Sequence, residues 1–345
     1  MAEVVRRRIT SSSIGPNGDP MRAIVVREFG GTPEPADMPV PEPGPGQLRI
    51  RLDAAGVNPF DRKIIDGVLD GRLPHDFPLI PGLDGAGTVS ALGAGVPEFA
   101  VGDRVAGKWL VPPVGHGTFA EYIVVPHDGV IARLPDEVTA LAAAALPTAG
   151  LTALDLLEGA AVGAGQTVLI PGAAGGVGSF LVQLAAAAGA HVIATARPDD
   201  ADRMIRLGAT EVIGYSRTVP VSESPEPALD QPTIAESVRM THPDGIDALL
   251  DLVSPPATLR ELAALVRPGG AVFSTIGSVD TADLQTRGIK GGNINSQGSA
   301  AGLARLLAAA AAGDLVVPVD HAVPLAEAAT VIGGSGARGK TVLVI

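Results

Sequence analysis

The sequence predicts an α/β protein in which a doubly wound parallel sheet of the Rossmann type is joined to a smaller β-barrel domain. Two observations carry this prediction. Residues 167–184 run from an apolar strand through a glycine-rich turn into an amphipathic helix, which is how a parallel βαβ unit begins. Residues 21–135 instead hold short β-branched runs interrupted by Gly and Pro, the pattern of a small barrel.

The first part of the chain is predicted to consist mainly of short strands. Their β-branched runs lie at 21–26, 48–52, 87–90, 104–107 and 122–125. Residues 1–20 are expected to form a flexible extension. They carry arginines without an apolar segment behind them, so they lack the build of an export signal.

From residue 138 helices and strands are predicted to alternate, as in a doubly wound sheet. Residues 216–232 are rich in Ser, Pro and Glu and are expected to be an exposed, mobile loop. A helix at 299–313 and a strand at 341–345 return the chain to the first domain. The other elements are predicted at 138–158 (helix), 167–171 (strand), 176–188 (helix), 191–195 (strand), 199–207 (helix), 211–214 (strand), 233–240 (helix), 246–253 (strand), from 256 (helix), 267–270 (turn) and 271–277 (strand).

The glycine-rich turn predicts a dinucleotide site. Gly175 and Gly178 allow close approach of a pyrophosphate and close packing of helix on strand, while free N–H groups at the helix start face the anion. A second strand follows at the distance expected of a βαβ unit. The predicted cofactor contacts in the turn are Gly172, Gly175, Gly176, Val177 and Gly178.

The end of the second strand favours NADPH over NADH. An acidic residue there would bind the adenosine ribose 2′-hydroxyl and repel a 2′-phosphate, but the chain has Thr195 and Ala196, followed by Arg197. A guanidinium can grip a phosphate through two charge-assisted hydrogen bonds. The alternative is that Arg197 is a solvated surface residue ahead of Asp199 and Asp200.

Composition excludes several classes of partner. The 345 residues, 46% of them hydrophobic, are enough for two domains with cores. A formal net charge of -12 argues against nucleic acid or an anionic membrane as the partner. No run approaches the length of a membrane span, so the expected location is the cytoplasm. The chain has no cysteine, which removes disulfides, thiolate metal sites and thiol nucleophiles.

Several segments in order resemble the medium-chain dehydrogenase/reductase superfamily, in its zinc-free branch of quinone oxidoreductases similar to zeta-crystallin. The resemblance runs from Met21 to the end of the chain. The matching segments are 55–61 (AGVNPFD), 81–89 (PGLDGAGTV), 101–105 (VGDRV), 147–153 (PTAGLTA), 172–178 (GAAGGVG), 207–213 (LGATEVI) and 339–343 (GKTVL).

This resemblance implies a GroES-like catalytic domain at 21–145 and 298–345, interrupted by a Rossmann NADPH-binding domain at 146–297. It implies a cofactor cleft between them and hydride transfer from NADPH to a quinone or an activated alkene. Most of the rate would then come from positioning two bound molecules face to face.

The resemblance also implies that no catalytic metal is bound. Zinc-dependent relatives use a Cys, a His-Glu pair and a further Cys or Asp, whereas the corresponding places here read Asn58, Leu83 and Asp84. Without a Lewis acid, alcohol oxidation loses its main catalytic device. Hydride addition to a quinone or enone needs less help, because the charge is delocalised onto an oxygen.

Asn58 is the candidate catalytic residue. By analogy with the family it lies near the nicotinamide, where its amide can donate a hydrogen bond to substrate or cofactor. A turn role ahead of Pro59 is an equally good interpretation. Asp61 and Lys63 follow on the same segment and are expected to form an exposed charge pair.

Further cofactor contacts are predicted around the cleft. Thr148 and Thr152 start a long helix and suit phosphate or ribose, although Thr148 also suits a helix cap. The resemblance places Tyr215 near the adenine, or packed on the sheet edge, and Lys340 beside the cleft, or solvated at the start of a strand. The ends of the fourth and fifth strands border the crevice by geometry alone, at Leu252, Val253, Ile276 and Gly277.

The histidines show no metal-ligand spacing in sequence. His191 is interpreted as structural, while His75 and His116 lie in loops that can border a substrate pocket and donate a proton near neutral pH. Phe60, Trp109 and Leu110 suggest an apolar pocket or an ordinary core. The resemblance further implies a homodimer, for which the polar stretch 289–296 is a candidate edge strand.

Two other functions remain open from the sequence. One is reduction of an enoyl or alkenal C=C bond, which requires a proton donor facing the α-carbon, and residues 61–73 contain no tyrosine to serve as one. The other is a non-catalytic NADPH-binding sensor, because family resemblance gives fold more securely than function.

Overall fold

The computed structural model describes residues 20–214, 232–334 and 338–345. The predictions for residues 1–19, for Tyr215 and for the loop at 216–231 lie outside the described residues.

The first part of the chain is mostly strand, as predicted. Strands missed by the sequence pattern are short or rich in polar and proline residues, as at 34–38 and 114–116. The elements are β1 (Met21–Val25), β2 (Glu34–Met38), β3 (Gln47–Val57), α1 (Pro59–Ile65), β4 (His75–Ile80), β5 (Asp84–Leu92), β6 (Arg104–Lys108), β7 (Val114–His116), β8 (Tyr122–Pro126) and β9 (Val130–Arg133).

Helices and strands alternate through the middle of the chain before two strands complete the fold. The elements are α2 (Ala140–Ala145), α3 (Pro147–Ala160), β10 (Thr167–Ile170), α4 (Gly176–Ala187), β11 (His191–Ala196), a short 3-10 turn (Pro198–Asp200), α5 (Ala201–Arg206), β12 (Glu211–Gly214), α6 (Ile234–Thr241), β13 (Ile246–Asp251), α7 (Pro256–Ala263), β14 (Val266–Ser274), α8 (Thr281–Thr286), β15 (Lys290–Asn293), α9 (Ala300–Ala312), β16 (Val319–Pro324), a second 3-10 turn (Leu325–Thr330) and β17 (Lys340–Val344).

Within the described residues, a six-stranded parallel sheet has the order β12-β11-β10-β13-β14-β15. This is the strand order of a Rossmann fold. Side chains of β10 alternate between the two faces: Val168 and Ile170 join the core beneath α3 and α4, while Leu169 joins the core beneath α6 and α7. Both faces are covered, which is why the strand reads as a continuous apolar run.

The remaining strands form the barrel-like part. A seven-stranded sheet runs β16-β17-β3-β5-β6-β9, with β8 also paired to β3. The long strand β3 pairs antiparallel with β5, β8 and β17. The last strand of the chain therefore lies in the same sheet as the early ones, so the parallel sheet is an insertion, as predicted.

One apolar core crosses from the barrel-like part into the parallel sheet. Ala54 and Ala86 of the first part are in the same cluster as Ala143–Ala145 of α2 and Phe180 of α4. Contact is close because side chains are small: a Cβ on Gly56 would lie 2.2 Å from the carbonyl oxygen of Ala144. Alanine and glycine at these positions allow α2 to lie directly on β3.

Two local predictions were wrong. The helix expected at 138–158 is two helices, because Pro147 has no N–H to continue the first helix and instead starts the second. The turn expected at 267–270 lies inside β14. There the pairing with β13 jumps from Val266 to Ala271, so a bulge absorbs the turn-forming residues.

The stretch 289–296 contains β15, which is an edge of the parallel sheet. The edge position is confirmed, whereas pairing between two copies of the chain stays a prediction. In the part of the chain that the structure describes, no helix has the length and apolar character required to cross a membrane.

The glycine-rich turn gives a test of the fold. Ala at Gly178 would put a Cβ 2.4 Å from the carbonyl oxygen of Gly172 and 2.6 Å from the Cα of Ala173. Because both neighbours are backbone, we expect Gly178→Ala to reduce the free energy of unfolding by about 1–3 kcal/mol, measured by urea denaturation.

The matched control is Gly175→Ala, whose added Cβ meets only the Gly172 oxygen, at 3.4 Å. This variant should unfold within about 0.5 kcal/mol of the unsubstituted protein. Equal stability of both variants would contradict the proposed packing of helix on strand.

Candidate active site

The turn between β10 and α4 is built to approach an anion closely. Gly172 has φ +80°, a conformation that glycine adopts without strain, and Gly175 is the N-cap of α4. The first intrahelical bond is donated by Ser179 to Gly175, so the N–H groups before it are oriented out of the helix start. A Cβ on Gly175 would meet only one protein atom, which leaves room above the turn.

The tip of β11 lies against this turn. Thr195 is buried, and its hydroxyl oxygen accepts a hydrogen bond of 3.1 Å from the Gly172 N–H. Arg197 follows the strand and is partly exposed. Thr195 therefore supports the turn from within, and Arg197 directly follows the strand, while its contact with a 2′-phosphate stays a prediction.

Two further arginines near this end were not found from the sequence. Arg203 donates to the carbonyl oxygen of Ala174 at 2.7 Å and to Ser179 at 3.2 Å. Arg338, which comes from beside β17, lies 3.5 Å from carboxylate oxygens of both Asp199 and Asp200. The contacts of Arg203 with Ala174 and Ser179, and those of Arg338 with Asp199 and Asp200, join residues that are distant in the chain, so no local pattern could reveal them.

The carboxyl ends of β13 and β14 form the opposite side of the crevice. Val253 and Ile276 are 58% and 45% exposed. Exposed apolar residues at the ends of strands are unusual, and they fit a surface that a bound molecule would cover. Leu252 is partly buried and Gly277 is exposed. Close packing joins this side to the turn, because a Cβ on Gly172 would lie 2.7 Å from a methyl group of Val253.

The loop after β13 is held by Asp251, a residue missed by the sequence analysis. Its buried carboxylate accepts hydrogen bonds from the Ser254 N–H at 3.0 Å and from the Ser274 hydroxyl at 2.9 Å. The two strand ends are thereby fixed relative to each other.

A polar cluster lies beside the turn and contains the buried residues Asn58, Asp61, Asp84 and Lys340 together with the partly buried Thr148. Asn58 is the N-cap of α1, and its amide Nδ2 donates to Asp84 at 2.9 Å while its Oδ1 accepts from Lys340 Nζ. Lys340 also donates to the Val57 carbonyl oxygen at 2.9 Å. The amide of Asn58 is thus oriented by partners at both ends.

A new helix, α3, starts at Pro147, and Asp84 accepts hydrogen bonds at its start. The Asp84 carboxylate accepts from the Thr148 N–H at 3.0 Å and from the Thr148 hydroxyl at 2.6 Å. It therefore caps α3, where negative charge is favourable. The Thr148 side chain does not cap the helix as its alternative role suggested, and the Thr152 hydroxyl donates to the Thr148 carbonyl oxygen at 2.7 Å.

Two expectations about charge were wrong. Asp61 is fully buried rather than part of an exposed pair, because its carboxylate accepts a 2.7 Å bond from the Asn58 N–H within a capping box. The solvated alternative for Lys340 also fails: only 4% of the residue is exposed. Its partners Asn58 and Asp84 precede it by more than 250 residues, so no local pattern could reveal the contact.

Burial dominates the electrostatics of the cluster. It raises the pKa of Asp61 to about 8, against the hydrogen bond from Asn58. It also raises the pKa of Asp84, although Lys340, Thr148 and Asn58 oppose the shift. Burial lowers the pKa of Lys340, and the two aspartates oppose that change. The cluster therefore holds fewer charges than its composition suggests.

Lys340 joins this cluster to the glycine-rich turn. A Cβ on Gly176 would lie 3.0 Å from the Cδ of Lys340 and 3.2 Å from the carbonyl oxygen of Gly339. The alkyl chain of Lys340 therefore packs on the start of α4 while its ammonium reaches Asn58.

Lys108 is another residue that sequence reasoning missed. Its backbone pairs with Asp84 across β5 and β6, and its ammonium donates to the Ser296 carbonyl oxygen at 2.7 Å. Burial lowers the pKa of Lys108, although Asp84 and Asp155 oppose the shift. Lys108 therefore brings a titratable amine to the neighbourhood of Asp84.

The loop residues are placed farther out. Trp109 is buried, and together with Leu110 and His116 it lines a shallow surface depression that also contains Ile64 and Gly82. His116 pairs with Asp76 at 3.1 Å. Phe60 and Leu83 join the apolar cluster around Ile64, and His75 packs edge-on against Phe29.

Comparison with known proteins places this geometry in a family. Residues 44–136 match the model of the alcohol dehydrogenase GroES-like domain, and residues 176–312 match that of the zinc-binding dehydrogenases. A chloroplast envelope quinone oxidoreductase homologue of Arabidopsis thaliana is 39% identical over 57% of this chain, and the match covers 62% of the relative's own length. The quinone oxidoreductase of Sus scrofa is 33% identical over 94% of this chain and 98% of its own length.

Solved structures of similar fold agree. A quinone oxidoreductase from Coxiella burnetii has a TM-score of 0.78 and 28% identity, covering 94% of this chain and 99% of its own. A mycobacterial protein in complex with NADPH has a TM-score of 0.77 and 29% identity over 94% and 100% of the two chains. An NAD-dependent alcohol dehydrogenase scores 0.79, with 30% identity over 94% and 100%. The chain therefore belongs to the medium-chain dehydrogenase/reductase superfamily, within its quinone oxidoreductase family.

Proposed function

We propose that this protein is an NADPH-dependent oxidoreductase that transfers hydride to a quinone without a catalytic metal. The observation that carries the proposal is the junction at Gly176, where Lys340 connects the anion-binding turn to the buried cluster of Asn58 and Asp84. Membership of an oxidoreductase family and the crevice at the carboxyl ends of the parallel strands support it.

The residues present fit a dinucleotide. Gly172, Gly175 and the first turn of α4 would hold its pyrophosphate, because a side chain at Gly172 would strike Val253 while the space over Gly175 is open. The partly exposed Arg197 at the end of β11 would hold a 2′-phosphate. Bound there, NADPH would supply the hydride. Val253 and Ile276 would cover its other side.

We assign to Asn58 a positioning role. Both ends of its amide are engaged inside the protein, by Asp84 and by Lys340, so it fixes the ammonium next to the crevice. Its predicted contact with the nicotinamide stays a prediction. A hydrogen-bond donor held at this edge would stabilise negative charge that develops on a quinone oxygen as hydride arrives, and water would supply the proton.

The same cluster supports a metal-free reaction. At the places where zinc-dependent relatives carry ligands, this chain has an amide (Asn58), a hydrocarbon side chain (Leu83) and a carboxylate (Asp84) already engaged by three donors. The Lys340 ammonium acts electrostatically on Asp84 and opposes the rise of its pKa. A cation placed there would be repelled by Lys340 and would lack thiolate ligands.

Reduction of an activated C=C bond is the second candidate, and Lys108 favours it. Alkene reduction needs an acid for the α-carbon, and an amine whose pKa is lowered by burial is a suitable donor.

A homodimer formed through the free edge of β15 is also part of the proposal, since the exposed polar edge of Lys290–Asn293 matches a pairing surface.

The assay that tests the proposed function follows NADPH oxidation with 1,4-benzoquinone, a 2-alkenal and a crotonyl thioester in parallel. We expect the quinone to be preferred, and turnover to be unchanged after treatment with a chelator. Preference for an alkene would favour the second candidate, whereas NADPH binding without turnover on any of them would favour a sensor. Loss of activity with the chelator, restored by zinc, would contradict the metal-free mechanism.

Cofactor preference is tested at Arg197. Loss of a bidentate charged contact should cost about 1.5–3 kcal/mol, so Arg197→Ala should weaken NADPH by about 10- to 100-fold and NADH by far less. The control is Arg206→Ala, an exposed arginine on the nearby helix α5. Equal weakening of both cofactors by Arg197→Ala would show that the 2′-phosphate is bound elsewhere.

The buried acid gives a pH prediction. Asp61 has a folded pKa of about 8 against an ordinary value of 3.8, so between these values the folded state binds one proton more than the unfolded state. Stability should therefore fall as pH rises through this window, by at most about 1.4 kcal/mol per pH unit. Asp61→Asn should flatten that dependence in urea unfolding between about pH 5 and about pH 8.

The control for this measurement is Asp66→Asn. Asp66 lies at the end of the same helix, is 48% exposed and pairs with Arg62, so its substitution should leave the slope unchanged. Parallel pH dependences for Asp61→Asn and the unsubstituted protein would show that Asp61 is ionised in the folded state.

A further inference from the structure

Three side chains meet at the amino end of the parallel sheet, on the side opposite the glycine-rich turn. His191 is the first residue of β11, Glu211 is the first residue of β12, and His242 directly follows α6. They are 20 and 31 residues apart along the chain, so their spacing matches no metal-ligand pattern. Among the described residues, this is the group of three potential metal ligands whose atoms lie within 4.8 Å of one another.

Their geometry points both imidazoles at one carboxylate oxygen. The Oε1 atom of Glu211 lies 2.5 Å from Nε2 of His191 and 2.9 Å from Nε2 of His242. The two rings are 5.4 Å apart between centroids. The side chains are only 17–34% exposed, so the group is partly shielded from water and still reachable from the surface.

The backbone holds all three residues in fixed positions. β11 and β12 are adjacent parallel strands, the N–H of His191 donates to the carbonyl oxygen of Gln166, and the N–H of His242 donates to that of Val238. Helix α6 begins with a capping box between Thr233 and Glu236. Little conformational entropy would be lost when such a group binds a ligand.

The donor atoms suit a cation. Glu211 offers a carboxylate oxygen and each histidine offers an imidazole nitrogen, all within 4.8 Å of one another. Two imidazoles and one carboxylate are a donor set that zinc and its neighbours in the first transition row accept, with water as the fourth ligand.

We propose that His191, Glu211 and His242 form a binding site for one divalent transition-metal ion, with zinc as the best match. The ion binds Nε2 of each histidine and a carboxylate oxygen, and each imidazole moves its proton to Nδ1. Tetrahedral zinc with bonds of about 2.0–2.1 Å separates its ligand atoms by about 3.3 Å. Each imidazole nitrogen therefore needs to move away from the Glu211 oxygen by less than about 1 Å. The ion joins α6 to the edge of the sheet.

This site is independent of the proposed hydride-transfer reaction. It uses the amino ends of the strands, whereas the glycine-rich turn and Lys340 lie at the carboxyl ends. Metal bound here should stabilise the fold without changing turnover. Zinc found in the purified protein would therefore contradict the metal-free reaction only if it persists after the histidine cluster is removed.

The test uses full-length, tag-free protein treated with a chelator and then titrated with zinc by calorimetry and with cobalt by absorption. We expect one ion per chain, a raised melting temperature, and the visible d–d bands of four-coordinate cobalt. His242→Gln and Glu211→Gln should each weaken zinc at least about 10- to 100-fold and abolish those bands. Quinone turnover by the unsubstituted protein should be the same with and without zinc.

The matched control is His127→Gln. His127 also pairs with a carboxylate, that of Glu98 at 2.9 Å, but it belongs to no group of three ligands among the described residues, so zinc affinity should not change. Stoichiometry well below one, or equal affinity in His242→Gln and the unsubstituted protein, would overturn the proposal. The cluster would then be a hydrogen-bonded clamp between α6 and the sheet. The unsubstituted protein's own melting shift keeps the test valid if a variant fails to fold.

Discussion

The buried ammonium of Lys340 is the contact on which the arrangement of the candidate site depends. It comes from β17, the final strand, and reaches Asn58 and the Val57 carbonyl oxygen on β3 and its connection to α1. Its alkyl chain packs on Gly176 at the start of α4. Removing the Lys340 side chain would leave Asn58 Oδ1 in the interior without its donor, and an unsatisfied buried acceptor costs about 1–3 kcal/mol. Lys340 therefore fixes the two parts of the molecule and the polar cluster at once.

Features that arise from neighbouring residues could be predicted from the sequence. The glycine-rich turn and the β11 strand are local patterns, and each is present in the structure. The helix break at Pro147 also has a local cause, although the prediction of one helix at 138–158 missed it. Proline at the first position of a helix begins it as readily as it ends the one before.

Features that arise from folding could not be predicted. Asp61 and Lys340 carry charges that ordinarily lie in solvent, and their burial follows from pairing β3 with β5 and with β17. His191 and His242 become neighbours only when α6 packs beside β12. The positions of the residues in the fold, rather than their spacing in the chain, create both clusters. Arg203 and Arg338 near the carboxyl end of β11 are further examples.

The alanine contact between α2 and β3 has a consequence for motion. Domains that close over a ligand usually pivot on a boundary with few contacts, yet here one apolar cluster extends from Ala54 and Ala86 through α2 to Phe180 of α4. Rotating one part about the other would open that cluster to water. The molecule should therefore behave as one cooperative folding unit, and access to the crevice should depend on movements of the loops that border it rather than on a hinge between domains.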